Sequence, residues 1–168
     1  MSSISVLILM GSDSDAPVMQ AAVDVLREFE VPCEMTVASA HRSPERVMRL
    51  VAEAPGRGVR LFIVGAGAAA HLGGVVAAHT TLPVIGVPID SSALKGMDAL
   101  LSTVQMPPGV PVATVSIGKA GATNAGVLAA QILGLGDKAI ADRVEKYKRG
   151  LADKVEEAAR KLSASANP

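Results

Sequence analysis

Aromatic residues are scarce in this chain of 168 residues, and positive charge is not in excess. There is no tryptophan, one tyrosine and two phenylalanines, so the stacking surfaces that bind single-stranded nucleic acid are missing. Lys and Arg together number 16, as do Asp and Glu. A general binder of nucleic acid or of anionic membranes needs a basic excess. We therefore expect neither nucleic acid nor a membrane as a partner.

Cysteine and long apolar runs are also nearly missing. The single cysteine, Cys33, can form neither an internal disulfide nor a cysteine-based zinc site, and a reducing cytoplasm is the simplest compartment. Glycines, alanines and His71 dilute the nearly uncharged stretch 61–78, so no transmembrane helix is predicted. The apolar run at 4–10 lacks the preceding basic residues of a signal peptide.

The body of the chain is poor in charge. Residues 137–168 hold 8 basic and 6 acidic side chains, which leaves only 8 basic and 10 acidic ones for the first 136 positions. So few charges leave much apolar surface to be covered. The composition therefore predicts a homo-oligomer.

Short apolar runs alternate with helical periodicity along the chain. Strands are predicted at 4–10, 33–38, 61–64, 84–87 and 112–115. Helices are predicted at 16–30, 94–104, 120–133 and 137–163. Two more are predicted with one bound each: one that begins at 44, and one that follows the third strand and ends at about 79. This alternation is typical of an α/β fold, in which helices cover both faces of a parallel sheet. We expect one domain over 1–168, a flavodoxin-like three-layer α/β/α arrangement with strand order 2-1-3-4-5, and a frayed end at 164–168.

Ligands of open α/β sheets bind beyond the carboxyl ends of the strands, where the strand order reverses. In the expected order, the loops after strands 1, 2 and 3 are neighbours. The first loop is Gly11–Asp15. Here Ser12 and Ser14 could hold an anion with hydroxyl and backbone N–H groups, and Asp15 could accept from ribose hydroxyls. The alternative is a turn that only caps the next helix, with Ser14 or Asp15 as the cap.

The second loop is Ser39–Pro44. Arg42 has the planar fork that suits a phosphate, and His41 is the side-chain type that titrates near neutral pH. An acid or base beside a phosphate clamp is a plausible catalytic pairing. The alternative is an ordinary loop histidine beside a surface arginine.

The third loop, Gly65–Gly74, matches G-x-G-x-x-A after a strand, a pattern that suggests a dinucleotide. That pattern normally has an acidic residue about 20 positions further on, whereas the nearest acid here, Asp90, follows another strand. We therefore favour glycines that let the backbone approach a ligand closely. The sequence contains no P-loop, no hydrolase nucleophile elbow and no paired metal-ligating histidines, so neither a metal nor an organic cofactor is predicted.

Six segments in order carry a combined resemblance: GSDSD (11–15), SAHR (39–42), GAGAAAHL (65–72), LPVIGVP (82–88), LKGMDALLSTVQMP (94–107) and GVPVATVSIGKAGATNAGVLAAQIL (109–133). Together they resemble the class I PurE family, the 5-(carboxyamino)imidazole ribonucleotide mutases of purine biosynthesis. The resemblance implies a flavodoxin-like fold and an octamer with sites at subunit contacts. It also implies conversion of 5-(carboxyamino)imidazole ribonucleotide to 4-carboxy-5-aminoimidazole ribonucleotide without ATP, metal or organic cofactor.

The resemblance implies roles for single residues. His41 would be the general acid and base, Ser12 and Arg42 would bind the phosphate, and Asp15 would bind the ribose. His71 and the backbone of 65–70 would line a pocket for the carboxylate and carbon dioxide. The residues expected to contact the substrate are Ser12, Ser14, Asp15, Ser39, Ala40, Arg42, Gly67, Ala68, His71 and Leu72.

Two positions depart from the family pattern, which usually reads GAGGAAHLPG. This chain has Ala68 in place of a glycine and Gly73 in place of the proline. Ala68 adds a methyl group near the expected pocket, and Gly73 removes a stiff bond at the start of a helix. Direct carboxylases of aminoimidazole ribonucleotide typically carry Lys in place of Arg42, so Arg42 favours the mutase. Such a carboxylase and a non-catalytic nucleotide-binding module are the alternatives.

Overall fold

The computed structural model describes residues 4–166, with side chains for 4–165. The strands are β1 (Val6–Met10), β2 (Cys33–Val37), β3 (Leu61–Gly67), β4 (Val84–Ile89) and β5 (Ala113–Thr114). The helices are α1 (Ala16–Glu28), α2 (Pro44–Glu53), α3 (Leu72–Ala78), α4 (Met97–Val104), α5 (Gly118–Gly134) and α6 (Lys138–Ala166). Strands and helices therefore alternate along the chain, as the apolar runs predicted.

All five strands are parallel, in the order β2-β1-β3-β4-β5. This is the flavodoxin-like order, so the predicted topology is confirmed. Met10 at the end of β1 lies opposite Val37 of β2 and Gly65 of β3. The loops that follow these three strands therefore emerge close together at the carboxyl edge of the sheet, where a ligand site was expected.

The sheet separates two hydrophobic clusters. Val6, Ile8 and Met10 of β1 point into one cluster, beneath α1, α5 and α6, while Leu7 and Leu9 point into the other, beneath α2, α3 and α4. This follows from the two-residue period of a strand. All five β1 residues are buried, as expected for a parallel strand covered on both faces. Because each buried aliphatic side chain contributes roughly 1.5–3 kcal/mol, the strands give the edge loops a rigid base.

Small residues let α1 and α5 approach each other closely. Seven of the eight residues that α5 buries are glycine or alanine. A Cβ atom added at Gly126 would lie 3.0 Å from the backbone oxygen of Ala22 and equally near Val25, both on α1. The small-residue pattern predicted at 120–133 is thus explained by close packing within the chain.

Two strands reach further toward the ligand edge than predicted. β3 continues through Gly67, so residues 65–67 are strand rather than loop, because their backbone pairs with β4. β4 likewise runs to Ile89 rather than ending at 87. Glycine and alanine are poor strand formers and proline is disfavoured inside sheets, so local propensity did not indicate either extension.

Other boundaries also differ from prediction. α4 begins at Met97 rather than 94, after Gly96 in the left-handed conformation with φ +83°, and β5 is reduced to Ala113–Thr114. α6 runs to Ala166, so residues 164–166 are helical rather than frayed; an ion pair between Lys161 and Glu157 supports that last stretch. Residues 167–168 lie outside the described residues. Among the helices described over 4–166, none is both long and apolar enough to span a membrane.

Candidate functional site

A cavity of about 170 Å³, the edge cavity, lies at the carboxyl edge of the sheet. Nine of the eleven predicted site residues are in its lining, while Ala68 and His71 are not. A cleft of about 410 Å³ adjoins it, shares Arg42 with it and adds Arg46. The lining of the edge cavity consists of Gly11, Ser12, Ser14, Asp15, Ser39, Ala40, His41, Arg42, Ala66, Gly67, Ala69, Leu72 and Ser91.

The first loop is shaped by its own hydrogen bonds. The Ser14 N–H donates to Ser12 Oγ (3.3 Å), and the Ser12 N–H donates to Asp15 Oδ2 (3.1 Å), which forms a capping box around a short 3-10 turn. Asp15 is the N-cap residue of α1, one of the two predicted, although its side chain makes no capping bond to that helix. Ser12 caps the 3-10 turn before it. The hydroxyl of Ser14 lies 2.9 Å from Ser12 Oγ. The Ser12 hydroxyl in turn donates to Asp13 Oδ1 at 3.1 Å. Two hydroxyl groups thus meet at the cavity wall, and an anion there would replace their present acceptors.

Asp15 is a buried carboxyl group at the wall of the edge cavity. It is only 5% exposed. Burial raises the pKa of Asp15 above its ordinary value, while the Ser12 N–H and the Arg42 guanidinium act in the opposite direction. A buried carboxyl group still has acceptor capacity beyond the one backbone bond, so Asp15 suits a ligand that brings hydroxyl donors.

Arg42 ties the second loop to the first. Its Nη2 donates to the backbone oxygen of Gly11 at 2.6 Å, and its Nε and backbone N–H donate to Ser39 Oγ at 3.3 and 3.2 Å. These bonds hold the guanidinium between the edge cavity and the adjoining cleft. Because a guanidinium carries five N–H donors, Arg42 retains donors for an anion near Ser12.

His41 and His71 come from different loops and contact each other. His41 Nε2 lies 2.8 Å from His71 Nδ1, and the two rings are perpendicular with centroids 5.0 Å apart. One of these nitrogens must donate and the other accept. His71 therefore reaches the edge cavity through His41 rather than by lining it. The sequence pointed to both residues separately, but no sequence signal indicated that they touch.

The loop between β3 and α3 is held in a strained conformation. Ala68 has φ +51°, in the left-handed region that favours glycine. This is the position where the family usually has a glycine, and the Ala68 methyl group lies outside the lining of the edge cavity. Left-handed backbone costs an L-residue about 1–2 kcal/mol, so contacts elsewhere must hold the loop in this shape.

Ser91 is a lining residue that the sequence reasoning missed. It follows the end of β4 and enters the edge cavity from the side of Gly67. A Cβ atom added at Gly67 would lie 1.8 Å from Ser91 Oγ, so only glycine at position 67 leaves room for this serine. The signal that could have found Ser91 is its place after a fourth strand at the same edge of the sheet.

The described residues offer neither a metal site nor a reactive thiol. Over residues 4–166, no group of three or more His, Cys, Asp and Glu side chains is placed to hold a metal ion. Cys33 is half-buried and packs against the core. Burial raises the pKa of its thiol, with Arg27 opposing this weakly, so Cys33 is a small apolar residue rather than a nucleophile.

The family model for AIR carboxylase (AIRC) matches residues 5–154 of this chain. The chain belongs to the AIR carboxylase family. The matched region contains all three edge loops and every residue that lines the edge cavity. The resemblance drawn from the six sequence segments is thereby confirmed at the level of the family.

Relatives in the AIR carboxylase family match nearly the whole chain. The N5-carboxyaminoimidazole ribonucleotide mutase of Bacillus subtilis is 54% identical over 155 residues, which cover 92% of this chain and 96% of the relative. The protein of the same name from Pyrococcus horikoshii is 53% identical over 155 residues, with coverage of 92% and 86%. The solved structure of Treponema denticola PurE matches with a TM-score of 0.85 and 34% identity, covering 94% of this chain and 97% of that one.

Proposed function

We propose that this chain is an N5-carboxyaminoimidazole ribonucleotide mutase, which moves a carboxyl group from the exocyclic nitrogen of its substrate to carbon 4 of the imidazole ring. The observation that carries the proposal is an identity above 50% with two mutases across 92% of the chain. The edge cavity supports it, because hydroxyl groups, an arginine, a carboxyl group and a histidine converge there. A phosphate, a ribose and a proton transfer require these groups.

The ribonucleotide binds with its phosphate at Arg42 and its ribose at Asp15. The Ser12 and Ser14 hydroxyls lie together at the wall of the cavity, which Arg42 also lines, so its remaining guanidinium donors are available to the same anion. The phosphate then extends toward the adjoining cleft, which Arg46 also lines. Asp15 accepts from a ribose hydroxyl, which offsets part of the cost of its burial.

His41 carries the proton in both halves of the reaction. As an acid it protonates the carbamate nitrogen; the bond from that nitrogen to the carboxyl carbon breaks, its electron pair stays on nitrogen, and carbon dioxide leaves. Ring carbon 4 then attacks the carbon dioxide, and the carbon–carbon bond forms. The now neutral His41 removes the proton from carbon 4 and returns to its starting state. One histidine suffices because it gives one proton to nitrogen and takes one proton back from carbon 4.

Carbon dioxide must stay beside the ring between the two halves. Ala66, Gly67, Ala69 and Leu72 line the edge cavity, and we place the carbon dioxide beside them. A confined reactant pair gains a large effective concentration over the same pair in free solution, and a dry wall keeps water from carrying the carbon dioxide away. The proposed reaction needs no metal and no organic cofactor.

The surface of α4 supports a homo-oligomer. Three large apolar side chains spaced for one face of α4 are 46–52% exposed: Met97, Leu101 and Val104. Leu94, in the turn before the helix, is 65% exposed. A contiguous apolar face of this kind favours contact with another protein surface. We place a second copy of the chain there, within the octamer that the family resemblance implies, with one domain per chain and a cytoplasmic setting.

The deciding experiment supplies two substrates in parallel and follows 4-carboxy-5-aminoimidazole ribonucleotide by its ultraviolet absorbance. One mixture contains the carboxyamino substrate without ATP, metal or bicarbonate; the other contains aminoimidazole ribonucleotide with bicarbonate. The mutase forms product in the first mixture and little in the second. Product mainly in the second would assign direct carboxylation, and no product in either would leave a nucleotide-binding module. The variant H41N is the control for background conversion.

A further inference from the structure

Ser102 on α4 joins that helix to the strained loop that carries His71. The backbone N–H of Ala70 donates to Ser102 Oγ at 3.0 Å. The same hydroxyl donates to the backbone oxygen of Asp98, one helical turn earlier, at 2.6 Å, and it also lies 3.3 Å from the oxygen of Ala68. Ser102 is absent from the lining of the edge cavity, so whatever it contributes must act through the loop.

A hydroxyl group is the chemical feature that this junction needs. Oγ accepts from the loop with a lone pair and donates its hydrogen to the helix, so one atom connects two backbones. Ala70 is only 1% exposed, and without this acceptor its N–H would lose its bond in a buried position, which is costly. An alanine at 102 would therefore release the loop, while a threonine would keep the junction.

The loop transmits the position of Ala70 to the catalytic histidine over a short path. The backbone N–H of His71 donates to the oxygen of Ala69 at 2.8 Å, which makes a compact turn on both sides of Ala70. Ala68 begins this turn with φ +51°, an unfavourable value for alanine. If the bond to Ser102 were lost, the backbone at Ala68 would tend to relax to a more favourable conformation. At its far end, His71 Nδ1 contacts His41 Nε2. The place of the His41 ring therefore depends on the loop.

We propose that Ser102 is a positioning residue, which holds the loop 68–71 so that His71 orients His41 for proton transfer. This proposal rests on the mutase function proposed above for its kinetic part only. It assigns no contact between Ser102 and the substrate. The hydroxyl should accordingly affect the rate of the chemical step and leave substrate binding at Ser12, Asp15 and Arg42 unchanged.

The kinetic test compares S102A with S102T and with the control T103V. Thr103 is the next residue of α4 and donates its hydroxyl to Ala99 O at 2.7 Å, so T103V removes a hydroxyl from the same helix without touching the loop. We expect kcat of S102A to fall about ten-fold, the factor for losing one oriented hydrogen bond. KM should stay within about two-fold because the binding groups are untouched, and S102T should recover most of the rate.

A measurement without substrate separates this proposal from the proposed reaction. The described residues include three histidines, so their ¹⁵N ring resonances can be assigned. His79 serves as an internal reference, because it lies outside the lining of the edge cavity and its Nδ1 is 2.8 Å from the backbone oxygen of Val75. In S102A the ring signals of His41 and His71 should move while those of His79 stay. Such a shift in a protein without mutase activity would support the positioning role and overturn only the reaction.

Three results would overturn the role of Ser102. They are an S102A protein with unchanged kcat and unchanged histidine signals, an equal loss of rate in T103V, and a rise in KM with kcat preserved. If S102A does not fold, S102C keeps a side chain of similar size with a much weaker hydrogen bond. A folded S102C protein with full kcat and unmoved ring signals would contradict the proposal equally.

Discussion

His41 Nε2 and His71 Nδ1 lie 2.8 Å apart although the residues are 30 positions apart in sequence. Two imidazole rings in this arrangement hold one proton between the facing nitrogens. The contact leaves each ring with a second nitrogen for other partners. The histidine that we propose transfers the proton thus has a fixed neighbour that is itself able to donate or accept.

Replacing His41 should abolish the reaction without abolishing binding. Asparagine in H41N keeps a polar group of similar size but cannot transfer a proton, and general acid–base catalysis contributes about 10²–10⁴-fold. We expect turnover to fall by at least the lower figure, with ribonucleotide binding retained in calorimetry. H71A should lower kcat less, because it removes only the neighbour.

His79 provides the control for both histidine variants. It lies after the end of α3 and outside the lining of the edge cavity, so H79A should keep its kcat. Near-normal turnover in H41N would remove His41 from the mechanism.

Arg42 should contribute to substrate binding. Its guanidinium is oriented by Gly11 O and Ser39 Oγ, and a hydrogen bond to a charged group contributes about 1.5–3 kcal/mol. R42A should therefore raise KM by about 10–150-fold with a smaller change in kcat. R42K should fall between, because a point charge lacks the fork. The exposed arginine of α2, Arg49, is the matched control, and an unchanged KM in R42A would refute the phosphate role.

Asp15 should lower the stability of the fold at neutral pH, although it contributes to substrate binding. Burial raises the pKa of Asp15, so the folded protein holds this proton more tightly than the unfolded chain. Its contribution to stability is complete below the ordinary value of 3.8 and is lost as pH rises through the folded pKa. D15N should therefore melt above the wild type at pH 7, with a smaller difference at pH 4, and its KM should rise. A lower melting temperature for D15N at pH 7 would contradict the cost of burial.

Substitutions at the two positions that depart from the family pattern should each stabilise the fold, glycine for alanine at 68 and alanine for glycine at 73. Ala68 has φ +51°, so A68G should raise the free energy of unfolding by about 0.5–1 kcal/mol, after allowing for the greater freedom of glycine when unfolded. Gly73 lies inside α3, and an added Cβ would meet Val112 at an ordinary 3.6 Å. G73A should gain about as much from helix propensity. Urea unfolding measures both free energies. A loss of stability in either variant would show that the wild-type residue at that position does not destabilise the fold.

The apolar face of α4 should control assembly. Leu101 is 49% exposed in the single chain, and a glutamate there would place a charge in any contact that covers this face. L101E should give a smaller particle than the wild type in light scattering. L135E changes a leucine that is 90% exposed and should leave the mass unchanged. A wild-type protein that scatters as a 17.1 kDa monomer would remove the assembly proposal altogether.

The topology could be predicted because the sequence carries one apolar run per strand. Those runs, separated by helical periodicity, indicated a parallel sheet, and the strand order placed the loops after β1, β2 and β3 together. The register of Met10 with Val37 and Gly65 confirms that these three loops leave the sheet at the same edge. Polar loops that follow the predicted strands were therefore enough to indicate most of the edge cavity.

The remaining parts of the site depend on contacts between distant elements. Ser91 was missed because the prediction considered only the loops after the first three strands, whereas β4, through the pairing of Pro88 with Ala66, reaches the same edge. The contact between His41 and His71 depends on a turn whose shape comes from Ser102 and from Ala68. Neither the pairing partner nor the left-handed residue has a periodic signature in the sequence.

The lack of a Cβ atom at Gly67 leaves the space that Ser91 occupies at the edge cavity. At Gly67 a single methyl group would collide with Ser91 Oγ, and Ile89 O would lie only 3.2 Å from it. An added carbon at Gly67 would therefore push Ser91, in the loop after β4, outward, and removal of the Ser91 hydroxyl would enlarge the cavity. Positions 67 and 91 therefore control the volume of the part of the edge cavity in which the carbon dioxide is proposed to stay.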